Sequence, residues 1–280
     1  MRRLLLCTDL DRTLIPNGPQ PLSPEARPLF AALAAREEIS LAYVTGRHRE
    51  LIESAIREYA LPRPDYAVAD VGATVYLCAK DPWTPWDSWS GHLAPDWKGL
   101  DPRDLHALLA DLEGLQLQER EKQGPHKLSY YVPLEIDHQA LTDTAGVRLR
   151  QASIRANLVW SVDELAGVGL LDILPARAGK LSAIHFLMEK TGFGLTETVF
   201  AGDSGNDVDV LTSDIPAVLV ANATTQVREM LANAKPASLY LARGWLGMNG
   251  NYAAGILEGA AHFWPEADAW LRELKQNMGD

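Results

Sequence analysis

Only two cysteines, Cys7 and Cys78, occur in the 280 residues, and both sit inside apolar, strand-like stretches. Two scattered thiols make neither a disulfide framework nor a zinc site, so a reducing cytoplasm is the expected compartment. Long hydrophobic runs are missing as well: no stretch of about 18 apolar residues exists to span a bilayer. The opening Met-Arg-Arg-Leu-Leu-Leu-Cys has too short an apolar run for a signal peptide. Positive charge is scarce, with 26 Lys and Arg against 37 Asp and Glu, a net of −11. A surface of that sign repels a phosphate backbone, so neither nucleic acid nor a membrane is an expected partner. Repeats and low-complexity tracts are absent. Gly244, Gly247 and Gly250 are not followed by Lys-Ser/Thr, so a nucleotide P-loop is unsupported, and the seven histidines lack metal-ligand spacing. What is present is ordinary: 47% hydrophobic and 22% charged residues, enough to bury a sizeable core.

Along the chain, Leu4 to Leu10 is a short apolar run without helical period and reads as a buried strand. Ser23-Pro24-Glu25 reads as a helix start, with Ser23 as N-cap and Pro at the first helical position. Ile39 to Val44 is a second strand, a helix follows from about His48, and Tyr66 to Ala69 and Ala73 to Cys78 are further strands. This β-α-β-α-β order is that of a parallel sheet covered on both faces. The rhythm breaks near Lys80. Trp83, Trp86, Trp89 and Trp97 follow among Pro, Asp and Ser. These read as closing a small domain's core, with a sugar-stacking platform as the alternative. A helix from Asp101-Pro102 and strands at Lys127 to Val132 and Ile154 to Val162 make an α+β module, taken as an inserted domain over residues 81–168. The βα rhythm is expected to resume at Leu170 to Pro175, with a helix from about Lys180 and strands at Val199 to Asp203, Ala217 to Val220 and Leu239 to Ala242. The expected fold is thus α/β: a doubly wound, mostly parallel core (residues 1–80 and 169–280) carrying an inserted α+β domain.

Three predicted core strands end in reactive groups: Asp9 and Asp11 after the first, Thr45 after the second, Asp203 after a later one. Ligands of open α/β sheets sit beyond the carboxyl ends of the strands. Four carboxylates gathered there, Asp207 included, repel one another unless a cation sits among them, and oxygen-only ligands favour Mg²⁺. An acid beside such a metal can attack phosphorus, and aspartyl-phosphate formation is a known carboxylate role. Asp9 suits the nucleophile, Asp11 the proton transfer, and Lys180 can offset the negative charge around a phosphoryl group.

In order, the residues are Asp9-Leu10-Asp11-Arg12-Thr13, Thr45-Gly46-Arg47, Lys180 and Gly202-Asp203-Ser204-Gly205-Asn206-Asp207. Together they resemble the haloacid-dehalogenase superfamily of phosphatases. The insert is similar to the large α/β cap of the Cof-type branch. Within that branch, Leu41 to Arg47, Lys127-Leu128-Ser129-Tyr130, Leu171 to Pro175, and Gly255 to Glu258 with His262-Phe263 resemble bacterial sucrose-phosphatases and close sugar-phosphate relatives. The resemblance covers most of the chain and is thinnest in the Trp-rich stretch and after about Pro265. It implies Asp9 as nucleophile and magnesium ligand, and Asp11 as general acid/base that also ligates through its main-chain carbonyl. It implies Thr45 and Lys180 as phosphate-orienting groups, Asp203 as a direct metal ligand, and Asp207 as a supporting one through water. Gly46, Arg47 and Asn206 fall where sugar-phosphatases contact substrate, and Lys127 falls on a cap strand that grips the glycosyl part. One departure stands out: Gly179-Lys180-Leu181 replaces the usual Lys-Gly pair.

The implied activity is Mg²⁺-dependent hydrolysis of a sugar phosphate, sucrose 6-phosphate first and mannosylfructose phosphate or another glycosyl phosphate as alternatives. A monomer and association with a sugar-phosphate synthase are further expectations. A phosphomutase would use the same Asp pair. A non-catalytic sugar-sensing module would have lost carboxylates, yet Asp9, Asp11, Asp203 and Asp207 are all present.

Overall fold

In a computed structural model of the chain, residues 3–163 and 166–278 are described. Twelve strands occur among them. They are β1 (Leu4–Thr8), β2 (Ile39–Val44), β3 (Tyr66–Ala69), β4 (Thr74–Leu77), β5 (Thr84–Pro85), β6 (Gln116–Leu117), β7 (Leu128–Val132), β8 (Ala156–Asp163), β9 (Val168–Pro175), β10 (Thr198–Gly202), β11 (Ala217–Leu219) and β12 (Leu239–Leu241). The chain divides into two compact units. One is Met1–Gly72, Tyr76–Thr84 and Lys180–Asp280; the other is Ala73–Val75 and Pro85–Gly179. No helix among the described residues is long and apolar enough to cross a membrane.

The first unit is built on the sheet of order β12-β11-β10-β1-β2-β3-β4-β5, and the pairs from β12 through β3 are parallel. β1 is buried at all five positions, as a continuous apolar run must be when helices cover both faces. Leu29, Phe30 and Leu33 of the helix Ala26–Ala34 join its hydrophobic core, as do Ile52 of Arg49–Glu58 and Ile256 and Leu257 of Ala253–Phe263. The last helix lies very close to the sheet. A Cβ on its Gly259 would sit 2.1 Å from Val218 Cγ2, so this position admits no side chain.

The second unit is an antiparallel sheet of order β6-β7-β9-β8. Leu105 and Leu109 of the helix Pro102–Leu109, and Leu141, Ala145 and Leu149 of His138–Gln151, pack with Leu128, Tyr130, Val132, Leu171 and Ile173. The doubly wound core with an inserted α+β cap is therefore the architecture observed.

Three sequence expectations are corrected. Leu170 to Pro175 is no core strand: as β9 it is an inner strand of the cap sheet, paired on both sides, and the second unit runs on to Gly179. Its apolar run resembles a parallel core strand because an inner strand over a helix layer also buries Leu171 and Ile173. The second unit thus comprises Ala73–Val75 and Pro85–Gly179, where the expected insert was 81–168, and Trp83 packs into the core cluster of the first unit. Ser23 is no N-cap either. The helix begins at Ala26 behind Glu25, and the Ser23 hydroxyl instead accepts from Asn249 N. Trp89 and Trp97 are fully buried, and Trp97 belongs to the cap core.

Candidate active site

Strand order places β1 beside both β10 and β2, so the chain's direction of travel across the sheet reverses at β1. Crevices form at such a switch point beyond the carboxyl ends of the strands. Asp9 N donates to Ala201 O at 2.9 Å, which extends the β1–β10 pairing one residue past Thr8. Asp9 and Asp203 consequently leave the sheet side by side, 194 residues apart in sequence.

Oxygen atoms of Asp9, Asp203 and Asp207 all lie within 4.8 Å of one another, and all three residues are buried. Lys180, the first residue of the helix Lys180–Thr191, is buried among them, with Nζ 2.7 Å from Asp207 Oδ1 and 3.1 Å from Asp9 Oδ1. Burial works against the Lys180 ammonium, but Asp207 and Asp9 outweigh it and hold its pKa up at about 12. Asp9 is raised to about 7, by burial first, with Asp207 adding to the rise and Lys180 opposing it. Asp203 is raised to about 6 by burial and by the Asp207 charge. The Lys180 ammonium, with the partly exposed Arg12 guanidinium beside Asp203, is too little positive charge for three buried carboxylates.

Asp207 has no oxygen to spare. Oδ1 takes the Lys180 bond, while Oδ2 accepts from Asp203 N and Ser204 N, both at 3.0 Å, and from Ser204 Oγ at 3.2 Å. Gly202 is what permits this: a Cβ there would lie 2.6 Å from Asp207 Cγ. Asp203 is held more loosely, by Thr13 Oγ1 at 3.2 Å and Arg12 Nε at 3.3 Å.

Asp11 stands apart from the triad. Arg47 grips its carboxylate through Nε at 2.8 Å and Nη2 at 2.6 Å, and Asn17 Nδ2 donates to it at 2.7 Å. Burial works to raise its pKa, but Arg47 and then Asn17 outweigh it and hold the carboxyl below its usual range. Arg12 adopts φ +57°, with its N–H on Asn17 Oδ1 and its carbonyl on Asn222 Nδ2. Thr45 is buried, and its hydroxyl accepts from Arg47 N. The stretch Thr45-Gly46-Arg47 rests on three successive positive-φ residues, Asp70, Val71 and Gly72: Val71 N donates to Thr45 O and Asp70 N to Arg47 O. Asn206 is exposed, and its Oδ1 lies 2.9 Å from the same Ser204 Oγ, whose single hydrogen it shares with Asp207.

Lys127 lies in the other unit, immediately before β7. Alternation along β7 turns Leu128 and Tyr130 to the cap core and Ser129 to the opposite, polar face. Ser129 pairs across the sheet with Asp172, and its Oγ donates to Asp172 Oδ1 at 2.5 Å. Buried Lys127 places Nζ 3.7 Å from the other oxygen of Asp172. Gln123 reinforces this patch, accepting from Ser129 N and donating to Ser129 O.

Residues 2–264 match the family of sucrose-6F-phosphate phosphohydrolases. The chain belongs to this family. With it, the chain belongs to the phosphoric monoester hydrolases of the haloacid-dehalogenase superfamily. A HAD-like hydrolase of Nitrosococcus oceani is 53% identical over 100% of this chain and 76% of its own length. Sucrose-phosphatase 1 of Nicotiana tabacum is 30% identical over 93% of this chain, which spans only 59% of the tobacco protein. Among solved structures, the sucrose-phosphatase of a Synechocystis species, determined in complex with sucrose and phosphate, superposes with a TM-score of 0.73. It is 26% identical, and the match covers 94% of this chain and 98% of that one.

A family phosphatase site of this kind carries a divalent cation, and the donor set fits one. Asp9 and Asp203 present carboxylate oxygens whose charge is undercompensated, and the cluster holds no sulfur or imidazole donor. Asp207, with both oxygens engaged, fits a supporting position. Arg12, Asn17 and Asn222 are the residues that sequence reasoning missed. In the sequence Arg12 is only the filler of a motif, and a lone Asn five or 210 residues downstream carries no local signal.

Proposed function

We propose that the chain is a Mg²⁺-dependent phosphatase that hydrolyses sucrose 6-phosphate to sucrose and phosphate through an aspartyl-phosphate. The observation that carries this reading is Asp9, buried at the end of β1 with Lys180 at 3.1 Å and Asp203 and Asp207 beside it. A carboxylate so placed can attack only a group whose charge the ammonium and a cation can share. Bound Mg²⁺ supplies Lewis-acid stabilisation of the phosphoryl oxygens.

In the proposed sequence, an Asp9 oxygen attacks phosphorus and the bond from phosphorus to the sugar oxygen breaks. Asp11 gives its proton to that oxygen. Water then attacks the aspartyl-phosphate at phosphorus, Asp11 takes up the water's proton, and phosphate leaves with Asp9 restored. Lys180 and Thr45 orient the phosphoryl group, and Gly46, Arg47 and Asn206 border the substrate. Arg47 holds Asp11 ionised in the free protein, so Asp11 can carry a proton as an acid only after Arg47 turns to the substrate. Lys127 on the polar face of the cap sheet is the proposed donor to the glycosyl hydroxyls. A cytoplasmic, monomeric enzyme of sucrose biosynthesis working beside a synthase is part of the same reading. The 26% identity to the Synechocystis sucrose-phosphatase supports the substrate.

Phosphate release over a panel of sugar phosphates tests it. Sucrose 6-phosphate should give the highest kcat/KM, EDTA should stop turnover, and Mg²⁺ should restore it better than Ca²⁺, which prefers looser, higher coordination. A higher kcat/KM for mannosylfructose phosphate would reassign the substrate while leaving the chemistry intact. Turnover in exhaustively chelated enzyme would overturn the metal.

A further inference from the structure

Asn17 lies on the exposed connection after the first motif, outside every role assigned so far. Both polar atoms of its amide are nonetheless engaged, one at the acid–base aspartate and one at the residue after it. Nδ2 donates to Asp11 Oδ1 at 2.7 Å, and Oδ1 accepts from Arg12 N at 2.8 Å. Only one orientation of the amide satisfies both bonds, since a carboxylate requires a donor and a peptide N–H an acceptor.

The two bonds act on one residue by two routes. The peptide joining Asp11 to Arg12 is trans and planar, so its N–H and the Asp11 carbonyl point in opposite directions. By holding that N–H, Asn17 fixes the direction of the Asp11 carbonyl; by holding Oδ1, it fixes the carboxylate. Left-handed φ at Arg12 is an uncommon conformation for a residue with a Cβ, and it needs support from its surroundings. The support comes from two sides. Asn17 takes the Arg12 N–H, and buried Asn222 donates to the Arg12 carbonyl at 2.6 Å. Asn222 is in turn locked by Tyr252 N, which donates to its Oδ1 at 2.8 Å.

We propose that Asn17 is the positioning residue of the proton-transferring Asp11, aiming its carboxylate and its main-chain carbonyl from a single exposed amide. The proposal rests on the acid–base role given to Asp11 above. Its consequence is selective. Positioning matters where the leaving oxygen needs a proton and matters little where it departs unaided, as from an aryl phosphate.

The test compares Asn17→Ala, Asn17→Asp and Asp11→Asn on sucrose 6-phosphate and on p-nitrophenyl phosphate. Asn17→Ala should lower kcat for the sugar phosphate by about 10–100-fold, a fraction of the 10²–10⁴ that general acid–base catalysis contributes, and change the aryl phosphate by less than about 3-fold. Asn17→Asp keeps the acceptor for Arg12 N but sets a second carboxylate against Asp11, so it should lose at least as much. Because Asn17 is exposed, both variants should fold, which circular dichroism and melting temperature check. Asp11→Asn is the reference. If it slows both substrates equally, the acid role of Asp11 fails. If it discriminates between the substrates and Asn17→Ala does not, Asn17 does not position Asp11 and the proposal is overturned.

Discussion

The core and the cap use their sheets in opposite ways. In the core, parallel strands from distant parts of the sequence bring their carboxyl ends to one line, so Asp9, Thr45 and Asp203 converge although long stretches of chain separate them. In the cap, antiparallel strands run polar residues along one face, so Ser129 of β7 and Asp172 of β9 lie side by side, with Lys127 just ahead of β7, without a shared end. Convergence favours chemistry at a point, because several charges act on one atom. A polar face favours reading an extended shape, because donors are spaced along it. The difference predicts that core substitutions abolish reaction for every substrate, whereas cap substitutions select among substrates.

The largest expected effect tests the core half. Asp9→Asn should eliminate turnover of sugar and aryl phosphates alike, because an amide neither attacks phosphorus nor ligates a hard cation as well. Near-normal phosphate release by a folded Asp9→Asn variant would falsify the covalent route and, with it, the distinction between the two units.

A smaller, selective effect tests the cap half. Lys127→Ala should lower kcat/KM for sucrose 6-phosphate by about 10–100-fold, the range for losing a charged hydrogen bond of about 1.5–3 kcal/mol. A small aryl phosphate should change by less than about 3-fold. Equal losses on the two substrates would mean that the cap does not read the sugar through Lys127, leaving a sugar phosphatase of broad specificity.

The smallest effect is on stability, and it belongs to the core alone. Folded Asp9 and Asp203 hold protons to about 7 and about 6, above the 3.8 of a free aspartate. Between those limits the native state binds more protons than the unfolded chain, so stability falls as pH rises from about 4 to about 7. Thermal melts of chelated protein should show a drop of about 2–4 °C between about pH 5.5 and pH 7.5, the shift made by about 1 kcal/mol in a chain of this size. Added Mg²⁺ binds the ionised carboxylates and should raise the melting temperature more at the higher pH. A chelated protein that becomes more stable with rising pH would show that the cluster is already compensated.

The same contrast explains what was legible in the sequence. Core motifs survive in one dimension because a strand end and the turn after it are contiguous: Asp9 to Thr13 and Gly202 to Asp207 each carry their chemistry within six residues. Long-range partners do not. Asn222 and Arg12 meet only because β11 and the turn after β1 open at the same edge, and no spacing records that. The cap boundary was misjudged because burial alone does not say which sheet a strand joins. Leu171, Ile173 and Leu174 are as buried in an antiparallel cap as they would be in a parallel core. Lys127 was visible only by resemblance, since a lysine on a strand has no distinguishing pattern of its own.

The interleaved chain path has a consequence for how the protein is made. Residues 85–179 are the whole of the second unit but for Ala73–Val75, so its segment is complete before β10 is synthesised. β1, by contrast, can pair early with β2 on one edge, but its other edge waits for β10, because Leu5 pairs with Thr198. Such non-local pairing is slow and leaves apolar strands open meanwhile. A nascent chain ending before about residue 198 would therefore hold the whole cap segment together with a half-sheet whose β1 edge is open. The carboxylate cluster comes together only once Asp207, its last member in the sequence, has been synthesised.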